Sequence, residues 1–242
     1  VQDGCDYNCS FCTIPMARGK SRSNTIEEIL DETRTVIASG AREIVLTGVN
    51  LGDFGIQDTV GNIRNSTFYE LAAALDSMGE INRIRISSIE PNLLDRKIIE
   101  LVAQSKVFVP HFHIPLQSGS DRILRRMHRP YKAEKFIEIC EKMKAARPGL
   151  AITTDIIVGF PGETEADFAA GMEFVDEMRF AHAHVFPFSA RPGTAAAKYA
   201  GQLPGDVKKE RGRRMRELVE KSGQAERQHF VGTVRPVLWE GE

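Results

Sequence analysis

The sequence predicts an α/β fold in which parallel strands alternate with crossover helices. Short apolar, β-branched stretches alternate along the chain with longer stretches whose apolar residues follow helical spacing. Repeated units of this kind build parallel sheets, because a parallel connection needs a crossover segment. Glycine-containing and polar loops also follow the predicted strands, where active-site groups lie in a parallel barrel. Five strands are predicted in full, and Val1-Gln2 would be the tail of a sixth.

The helices are predicted from apolar spacing and from capping residues. In the first, apolar residues recur at positions i, i+3, i+4 and i+7 from Ile26 to Ile37. Ser23-Asn24 is its predicted N-terminal cap, and Gly40 its end. Cys140, at an apolar position of a later helix, is predicted to be a small buried hydrophobe. The other predicted helices span residues 68–78, 94–104, 122–127, 133–146, 165–178 and 206–227.

The strands are predicted from β-branched composition or alternating polarity. They span residues 43–47, 83–88, 111–116, 151–158 and 183–187. From residue 228 the character changes, and residues 229–240 are predicted to form a strand entering a separate β domain. Pro236 would suit an edge or a bulge of that strand.

Composition indicates an ordinary soluble globular protein. The 242 residues are 42% hydrophobic and 27% charged, with a net charge of -1, so overall charge does not indicate a nucleic-acid binder. No apolar run is long enough for a membrane span, and no signal peptide is recognised. We expect a cytoplasmic protein. Because the chain lacks an initial Met and begins beside a cysteine motif, we expect it to be a piece of a longer protein.

Three cysteines near the start carry the main chemical signal. Cys5, Cys9 and Cys12 have the spacing Cys-x3-Cys-x2-Cys. Thiolates are soft ligands that suit iron–sulfur clusters or zinc, and three of them are one short of a closed tetrahedral site. A [4Fe-4S] cluster held by three cysteines keeps one iron open for another ligand. A zinc knuckle lacks a fourth ligand before His111, and a disulfide would leave the third thiol unpaired.

With Phe11 in place, this motif resembles the radical S-adenosylmethionine (SAM) superfamily. The continuation from Thr13 to Ser23 is similar to the methylthiotransferases that modify tRNA adenosines or a ribosomal protein. The loop 46–52 and the stretch 18–23 look most like the branch acting on threonylcarbamoyladenosine at tRNA position 37, beside the anticodon. The resemblance runs from Val1 to about Gly223.

The resemblance implies a partial (βα)6 radical SAM barrel over residues 1–227. Residues 228–242 would begin a TRAM β-barrel that binds RNA, truncated after its first strand. Family members also have an N-terminal methylthiotransferase domain, which lies outside this sequence and holds a second [4Fe-4S] cluster. We therefore expect this chain alone to bind one cluster and to be incomplete for the full reaction.

The resemblance also implies the chemistry. Cys5, Cys9 and Cys12 would hold a [4Fe-4S] cluster whose fourth iron binds SAM, and reductive cleavage of SAM would give a 5′-deoxyadenosyl radical. That radical would take hydrogen from an aromatic carbon, so that a methylthio group can be added. The expected partners are the tRNA anticodon loop, an electron donor and a sulfur donor, with no membrane.

Residues at the strand ends are the candidates for binding SAM. Several have a structural alternative: a plain turn for Gly48, helix capping for Ser88 and Glu90, and a salt bridge for Asp155. A metal pair at His111 and His113 is disfavoured, because no carboxylate or third histidine lies close in sequence. The candidates are Phe11, Gly48, Asn50, Ser88, Glu90, Gln117, Ser118, Asp155 and Gly159.

Two basic stretches, residues 122–135 and 208–216, are candidates for phosphate contacts on tRNA. The alternative is that they are solvated helix faces. Ser189, Arg191 and Thr194 could reach a phosphate or the SAM carboxylate. The substrate candidates are Arg18, Arg22, Arg125, Arg126, Arg191 and Arg213.

Three other functions are left open. Within the family, the substrate would be isopentenyladenosine-37 of tRNA or an aspartate of a ribosomal protein. From a different class, the chain would be a zinc-containing RNA-binding module without redox chemistry.

Overall fold

The computed structural model describes residues 1–57 and 66–239 of the chain. Within these residues the structure has seven strands: β1 (Gln2–Asp3), β2 (Arg22–Ser23), β3 (Glu43–Leu46), β4 (Arg83–Ile86), β5 (His111–His113), β6 (Ala151–Val158) and β7 (His182–Pro187). The same described residues form eight α-helices: α1 (Ile14–Arg18), α2 (Ile26–Ala38), α3 (Phe68–Asp76), α4 (Arg96–Gln104), α5 (Asp121–Arg126), α6 (Ala133–Ala146), α7 (Glu165–Met178) and α8 (Gly205–Gln228). Among the described residues, no helix is long and apolar enough to cross a membrane.

The parallel strands follow one another in sequence order. β3 pairs with β4, and β5, β6 and β7 form a continuous parallel sheet. Single parallel bridges join the pieces, Gln2 to Gly48 at the first edge and Ser88 to His113 in the middle. The predicted α/β fold is confirmed as a partial barrel, since no pairing closes β7 onto the first strand in the part of the chain that the structure describes. A short antiparallel pair, β1 with β2, lies beside it.

Each strand presents one face to the helices and the other to the concave side of the arc. In β6, residues such as Ile152 and Ile156 are buried, whereas Thr153 and Asp155 between them are only half-buried. Side chains alternate along a strand, so the polar residues share the face away from the core. β4 repeats the pattern with arginines, and β5 with histidines.

One large apolar core lies between the strands and the helices. It includes Cys140, which is fully buried as predicted. A second, smaller cluster forms where the cysteine loop meets the last strand, and Phe11 packs against it. This cluster consists of Ile123, Met127, Phe160, Phe188 and Ala196.

Several predicted boundaries are corrected. The N-terminal cap of α2 is Thr25, which forms a capping box with Glu28, and not Ser23-Asn24. Ser23 instead pairs in β2, and its buried hydroxyl accepts a hydrogen bond from the Gly55 N–H at 3.1 Å. β5 ends at His113 rather than at residue 116, since Pro115 has no N–H to continue a ladder.

The predicted strand near the C-terminus is not observed. Residues 233–239 form no strand within the described chain, and residues 240–242 lie outside the described residues. Val234 and Trp239 are exposed. A strand requires a partner for its backbone groups, and the described residues supply none to this segment. The assignment of residues 228–242 to a separate domain stays a prediction.

Candidate functional site

The cysteine loop begins with a backbone conformation that only glycine adopts easily. Gly4 has a φ of +72°, and a Cβ there would lie 1.9 Å from the carbonyl oxygen of Lys20. This close approach lets the Cys5 N–H donate to the Gly19 carbonyl at 3.0 Å. The loop therefore folds back against its own exit, and Cys5 is placed by that contact.

The far side of the loop is fixed by residues more than a hundred positions away. Ser10 is buried, and its N–H donates to the Met127 carbonyl at 3.0 Å while its hydroxyl donates to the Arg126 carbonyl at 2.8 Å. Its own carbonyl accepts from the Ala196 N–H at 2.8 Å. The end of α5 and the segment after β7 thus hold the loop.

Each of the three sulfur atoms accepts a hydrogen bond. The backbone N–H of Tyr7 donates to Cys5 Sγ and that of Ile14 to Cys12 Sγ, both at 3.4 Å. Cys9 Sγ accepts from the Arg129 guanidinium at 3.1 Å. Burial raises the pKa of Cys5 to about 11, so this thiol is protonated until a cation displaces the proton.

The separation of the thiols fits a cluster better than a single ion. In a tetrahedral zinc site, sulfur atoms lie about 3.8 Å apart. Cys5, Cys9 and Cys12 are not among the described groups whose ligand atoms all approach within 4.8 Å. At least one pair of these sulfur atoms is therefore farther apart than the ligands of one zinc ion, and three cysteine thiolates suit a multi-iron cluster. This geometry disfavours the zinc module.

Arg129 is buried beside the cysteines, although the sequence places it in an exposed basic stretch. Its side chain is only 3% exposed. Besides Cys9, it forms an ion pair with Glu90 and donates to the Tyr131 hydroxyl at 2.9 Å. Burial raises the pKa of Glu90, against the opposing effect of Arg129. Arg129 is therefore corrected from a candidate phosphate contact to a component of the cysteine site.

Five of the sequence-predicted residues line one cavity. They surround a volume of about 310 Å³ at the C-terminal ends of β6 and β7, and they are Phe11, Gln117, Asp155, Ser189 and Arg191. Phe11 meets Phe160 edge-on, with ring centroids 6.4 Å apart. The structure thus brings the cysteine loop and the strand ends to one place.

Gly48 and Asn50 lie together against Gln2. A Cβ on Gly48 would lie 3.1 Å from Gln2 Oε1, and the Asn50 N–H donates to that same oxygen at 2.8 Å. The Gln2 amide also donates to the Gly4 carbonyl at 2.9 Å, which links this loop to the cysteine loop. Asn50 donates to Asp53 at 2.7 Å, yet its own Oδ1 is buried with no partner among the described residues. That acceptor is available to a donor group of a bound ligand.

Like Gly48, Asn50 and Glu90, the candidates Ser88, Ser118 and Gly159 do not line the cavity. Ser118 is buried, and its hydroxyl accepts from the Ser120 N–H at 3.2 Å. The Gly159 N–H donates to Glu163 at 2.8 Å, and a Cβ there would lie 2.4 Å from Lys208. Ser88 is half-buried beside β5. Ser118 and Gly159 have sufficient structural reasons for their residue types.

Most of the candidate RNA-binding arginines have partners within the chain. Arg18 and Arg22 pair with Asp3, and Arg213 pairs with Glu210 and Glu217. Arg126 lies over the Tyr199 ring, 5.2 Å from its centroid. Arg125 is exposed on a groove of about 810 Å³ that Lys132 and Lys135 also line.

Comparison with known sequences supports the class of protein that the three-cysteine site indicates. Residues 1–175 match the radical SAM superfamily, and the chain belongs to it. Within that class it is 44% identical, over all of its length, to tRNA-2-methylthio-N(6)-dimethylallyladenosine synthase of Thermobifida fusca (strain YX). It is also 44% identical, over 89% of its length, to threonylcarbamoyladenosine tRNA methylthiotransferase MtaB of Bacillus subtilis (strain 168). The chain spans 48% and 47% of these two proteins.

Solved structures share the fold. The radical SAM methyltransferase TsrM from Kitasatospora setae, with cobalamin and a [4Fe-4S] cluster bound, aligns with a TM-score of 0.64 at 16% identity over 81% of this chain and 37% of that one. Methylornithine synthase (PylB) aligns with a TM-score of 0.59 at 15% identity, covering 89% of this chain and 60% of that one. The predicted cofactors, a [4Fe-4S] cluster and SAM, are those of this superfamily.

Proposed function

We propose that the chain is the radical SAM core of a tRNA methylthiotransferase whose substrate is threonylcarbamoyladenosine at position 37. The observation that carries the enzyme class is the 44% identity to two tRNA methylthiotransferases, together with a three-cysteine loop held at the mouth of the barrel. Because the chain spans about half of those relatives, the whole reaction belongs to the longer protein.

The residues divide into those that hold the cluster and those that shape the cavity. When bound, a cluster on three cysteines supplies an open iron for SAM and an electron for its reductive cleavage. Cys5, Cys9 and Cys12 would be its ligands, and the guanidinium of Arg129 stabilises negative charge at Cys9. Phe11, Phe186 and Phe188 line the cavity and would form an apolar wall that excludes water from the reacting groups.

The choice of substrate within the family is supported by the exposed Arg191 at the edge of a cavity whose other lining residues are mainly apolar. A threonylcarbamoyl group carries a carboxylate and a hydroxyl, whereas a dimethylallyl group is wholly apolar. Arg191 and Gln117 line the cavity, and guanidinium groups recognise carboxylates. Burying these polar groups against an apolar substituent would cost free energy. The alternative, dimethylallyladenosine, is favoured by the 44% identity to the Thermobifida enzyme over the whole of this chain.

The full-length protein tests both levels of this proposal. It is produced in cells that lack methylthiotransferases of their own, and the tRNA nucleosides are measured by mass spectrometry. The methylthio derivative of threonylcarbamoyladenosine is expected. Methylthiolated dimethylallyladenosine alone would overturn the substrate but keep the enzyme class, and neither product would overturn both.

The isolated chain tests the core chemistry. After anaerobic reconstitution with iron and sulfide, SAM and dithionite should yield 5′-deoxyadenosine, and a Cys9→Ala variant should yield none. Equal yields from the two proteins would contradict the role of the cysteines. The tRNA anticodon loop, the electron donor, the sulfur donor, the second cluster on an N-terminal domain and the cytoplasmic location all remain predictions.

A further inference from the structure

Three neighbouring strands place potential metal ligands on one face. His113 lies on β5, Asp155 on β6 and His184 on β7, and Asp155 is directly opposite His184 in the parallel register. One nitrogen or oxygen atom of each residue lies within 4.8 Å of the others. In sequence, His113 and His184 belong to two separate His-x-His pairs, at residues 111–113 and 182–184. The fold brings one histidine of each pair together with a carboxylate that is distant along the chain.

The Thr153 hydroxyl orients the first of these ligands. It lies 2.9 Å from His113 Nδ1 and also 2.9 Å from His111 Nε2. When it donates to His111, it accepts from the Nδ1–H of His113, and His113 Nε2 then carries a lone pair. A hydrogen bond to the second ring nitrogen is the usual arrangement around a metal-bound histidine.

That lone pair faces a carboxylate. His113 Nε2 and Asp155 Oδ2 are 3.2 Å apart. In this tautomer two acceptors face each other, and they repel unless a metal ion lies beside them. In the other neutral tautomer, Thr153 donates to His113 Nδ1 and the Nε2–H of His113 donates to Asp155, so a proton joins the two groups. His184, whose ring centroid is 5.9 Å from that of His113, supplies the further ligand that a metal uses and a proton does not.

We propose that His113, Asp155 and His184 bind one divalent first-row transition ion, Zn²⁺ in the first instance, separately from the cysteine site. Two imidazoles and a carboxylate are a common donor set for Zn²⁺ and Fe²⁺, and three protein ligands leave coordination positions open. Asp155 also lines the cavity that contains Phe11 and Arg191. The open positions therefore lie at the edge of that cavity, where water or an oxygen-bearing group of a bound molecule can complete the coordination. The site does not depend on which tRNA nucleoside is the substrate.

Zinc binding by the cluster-loaded chain tests this proposal. The protein, with any affinity tag removed, is reconstituted anaerobically and dialysed against micromolar Zn²⁺, and zinc and iron per chain are measured by mass spectrometry. The wild type is expected to hold one zinc with its iron unchanged. X-ray absorption at the zinc edge should show nitrogen and oxygen ligands with imidazole scattering.

Matched variants assign the ligands. His113→Ala and His184→Ala should each weaken zinc binding by more than about tenfold, and Thr153→Val by about tenfold through loss of the orienting hydrogen bond. His182→Ala should bind zinc as the wild type does, although its ring contacts that of His184 at 4.8 Å between centroids. Because His184 is exposed, its removal should leave the fold intact, which circular dichroism and iron content verify.

Three results would overturn the site. These are a wild type with no more zinc than His184→Ala, sulfur among the zinc ligands, or equal loss of zinc in His182→Ala. The first result would mean that a shared proton, and not a metal ion, holds His113 and Asp155 together.

Discussion

The guanidinium of Arg129 places a positive charge in direct contact with a cysteine of the proposed cluster site. The reduction potential of an iron–sulfur cluster depends on nearby charge and on hydrogen bonds to its sulfur ligands. Arg129→Met should therefore make the potential of the reconstituted cluster more negative, by an amount on the order of tens of millivolts. Potentiometry followed by electron paramagnetic resonance measures this shift.

The control for this prediction is Arg125→Met. Arg125 lies four residues earlier and is exposed, so its charge is screened by water. Its removal should leave the potential unchanged. Equal potentials for the wild type and Arg129→Met would show that the contact with Cys9 does not tune the cluster.

Gly4 provides a second prediction at the residue scale. A side chain there would overlap the Lys20 carbonyl, whereas a Cβ on Gly19, at a similar φ of +74°, would meet no atom within 4 Å. Gly4→Ala should therefore displace the cysteine loop and lower the iron content after reconstitution. Gly19→Ala carries backbone strain of about 1–3 kcal/mol without this overlap, and should retain most of its iron. Equal iron in both variants would contradict this interpretation of the loop.

The cysteines could be predicted as ligands because spacing within a loop is visible in sequence. Their supporting residues could not. Arg129 and Cys9 are 120 positions apart, and Gln2 reaches Asn50 across 48 positions. Only the folded chain makes these pairs. In sequence, nothing distinguishes Arg129 from the other basic residues of the stretch 122–135, although it is buried in the structure.

At the scale of elements, α5 and α7 are joined through Asp167. This carboxylate caps α7 with Thr164, accepts from the Ser120 hydroxyl at 2.8 Å and pairs with Arg122. The Arg122 guanidinium, with Thr164 and Ser120, holds the pKa of Asp167 well below its usual range despite partial burial. The ionised form of Asp167 therefore stabilises the junction between α5 and α7.

This junction predicts a pH dependence. A carboxyl whose pKa is depressed by folding stabilises the protein above its ordinary pKa of about 4, and the stabilisation is lost as pH falls. Asp167→Asn should lower the free energy of unfolding by about 1–3 kcal/mol near neutral pH. The difference from the wild type should shrink below a pH of about 4. Urea denaturation at neutral pH and at acid pH measures both values.

Glu173→Gln, on the exposed side of the same helix, is the matched control. It should change the free energy of unfolding by less than about 0.5 kcal/mol. If Asp167→Asn lowered the free energy of unfolding by the same amount at every pH, the charge of Asp167 would not be the cause.

Helix and strand positions were largely predictable because apolar periodicity is local. Errors arose where tertiary contacts decide the boundary. Ser23 is a good capping residue by type, but pairing in β2 uses it, and Thr25 caps α2 instead. The segment after residue 228 has strand-like composition, yet among the described residues no neighbouring strand is there to pair with it.

At the scale of the whole molecule, ion pairs within the chain determine which basic residues remain available to contact RNA. Arg213 is held between Glu210 and Glu217, whereas Arg125 is exposed on the open groove. Arg125→Ala should therefore weaken tRNA binding and lower the slope of log affinity against log salt by about 1. Filter binding at several salt concentrations measures both effects.

Arg213→Ala serves as the comparison. Because the charge of Arg213 is already balanced within the chain, this substitution should alter neither the affinity for tRNA nor the salt slope. A larger loss for Arg213→Ala than for Arg125→Ala would move the RNA-contacting surface from α5 to α8.

The strands of this molecule form an arc whose first and last members are not paired with each other in the described chain. A complete eight-stranded ring admits ligands only through its rim. An incomplete ring also has a lateral gap, running the full length of the edge strands. Under the proposed function, a nucleotide protruding from a folded RNA loop could enter sideways through this gap while the rest of the RNA stays outside. The same gap leaves the outer edge of β7 without a strand partner in the described chain, and the hydrogen-bonding groups of such an edge are satisfied by water or by other protein segments.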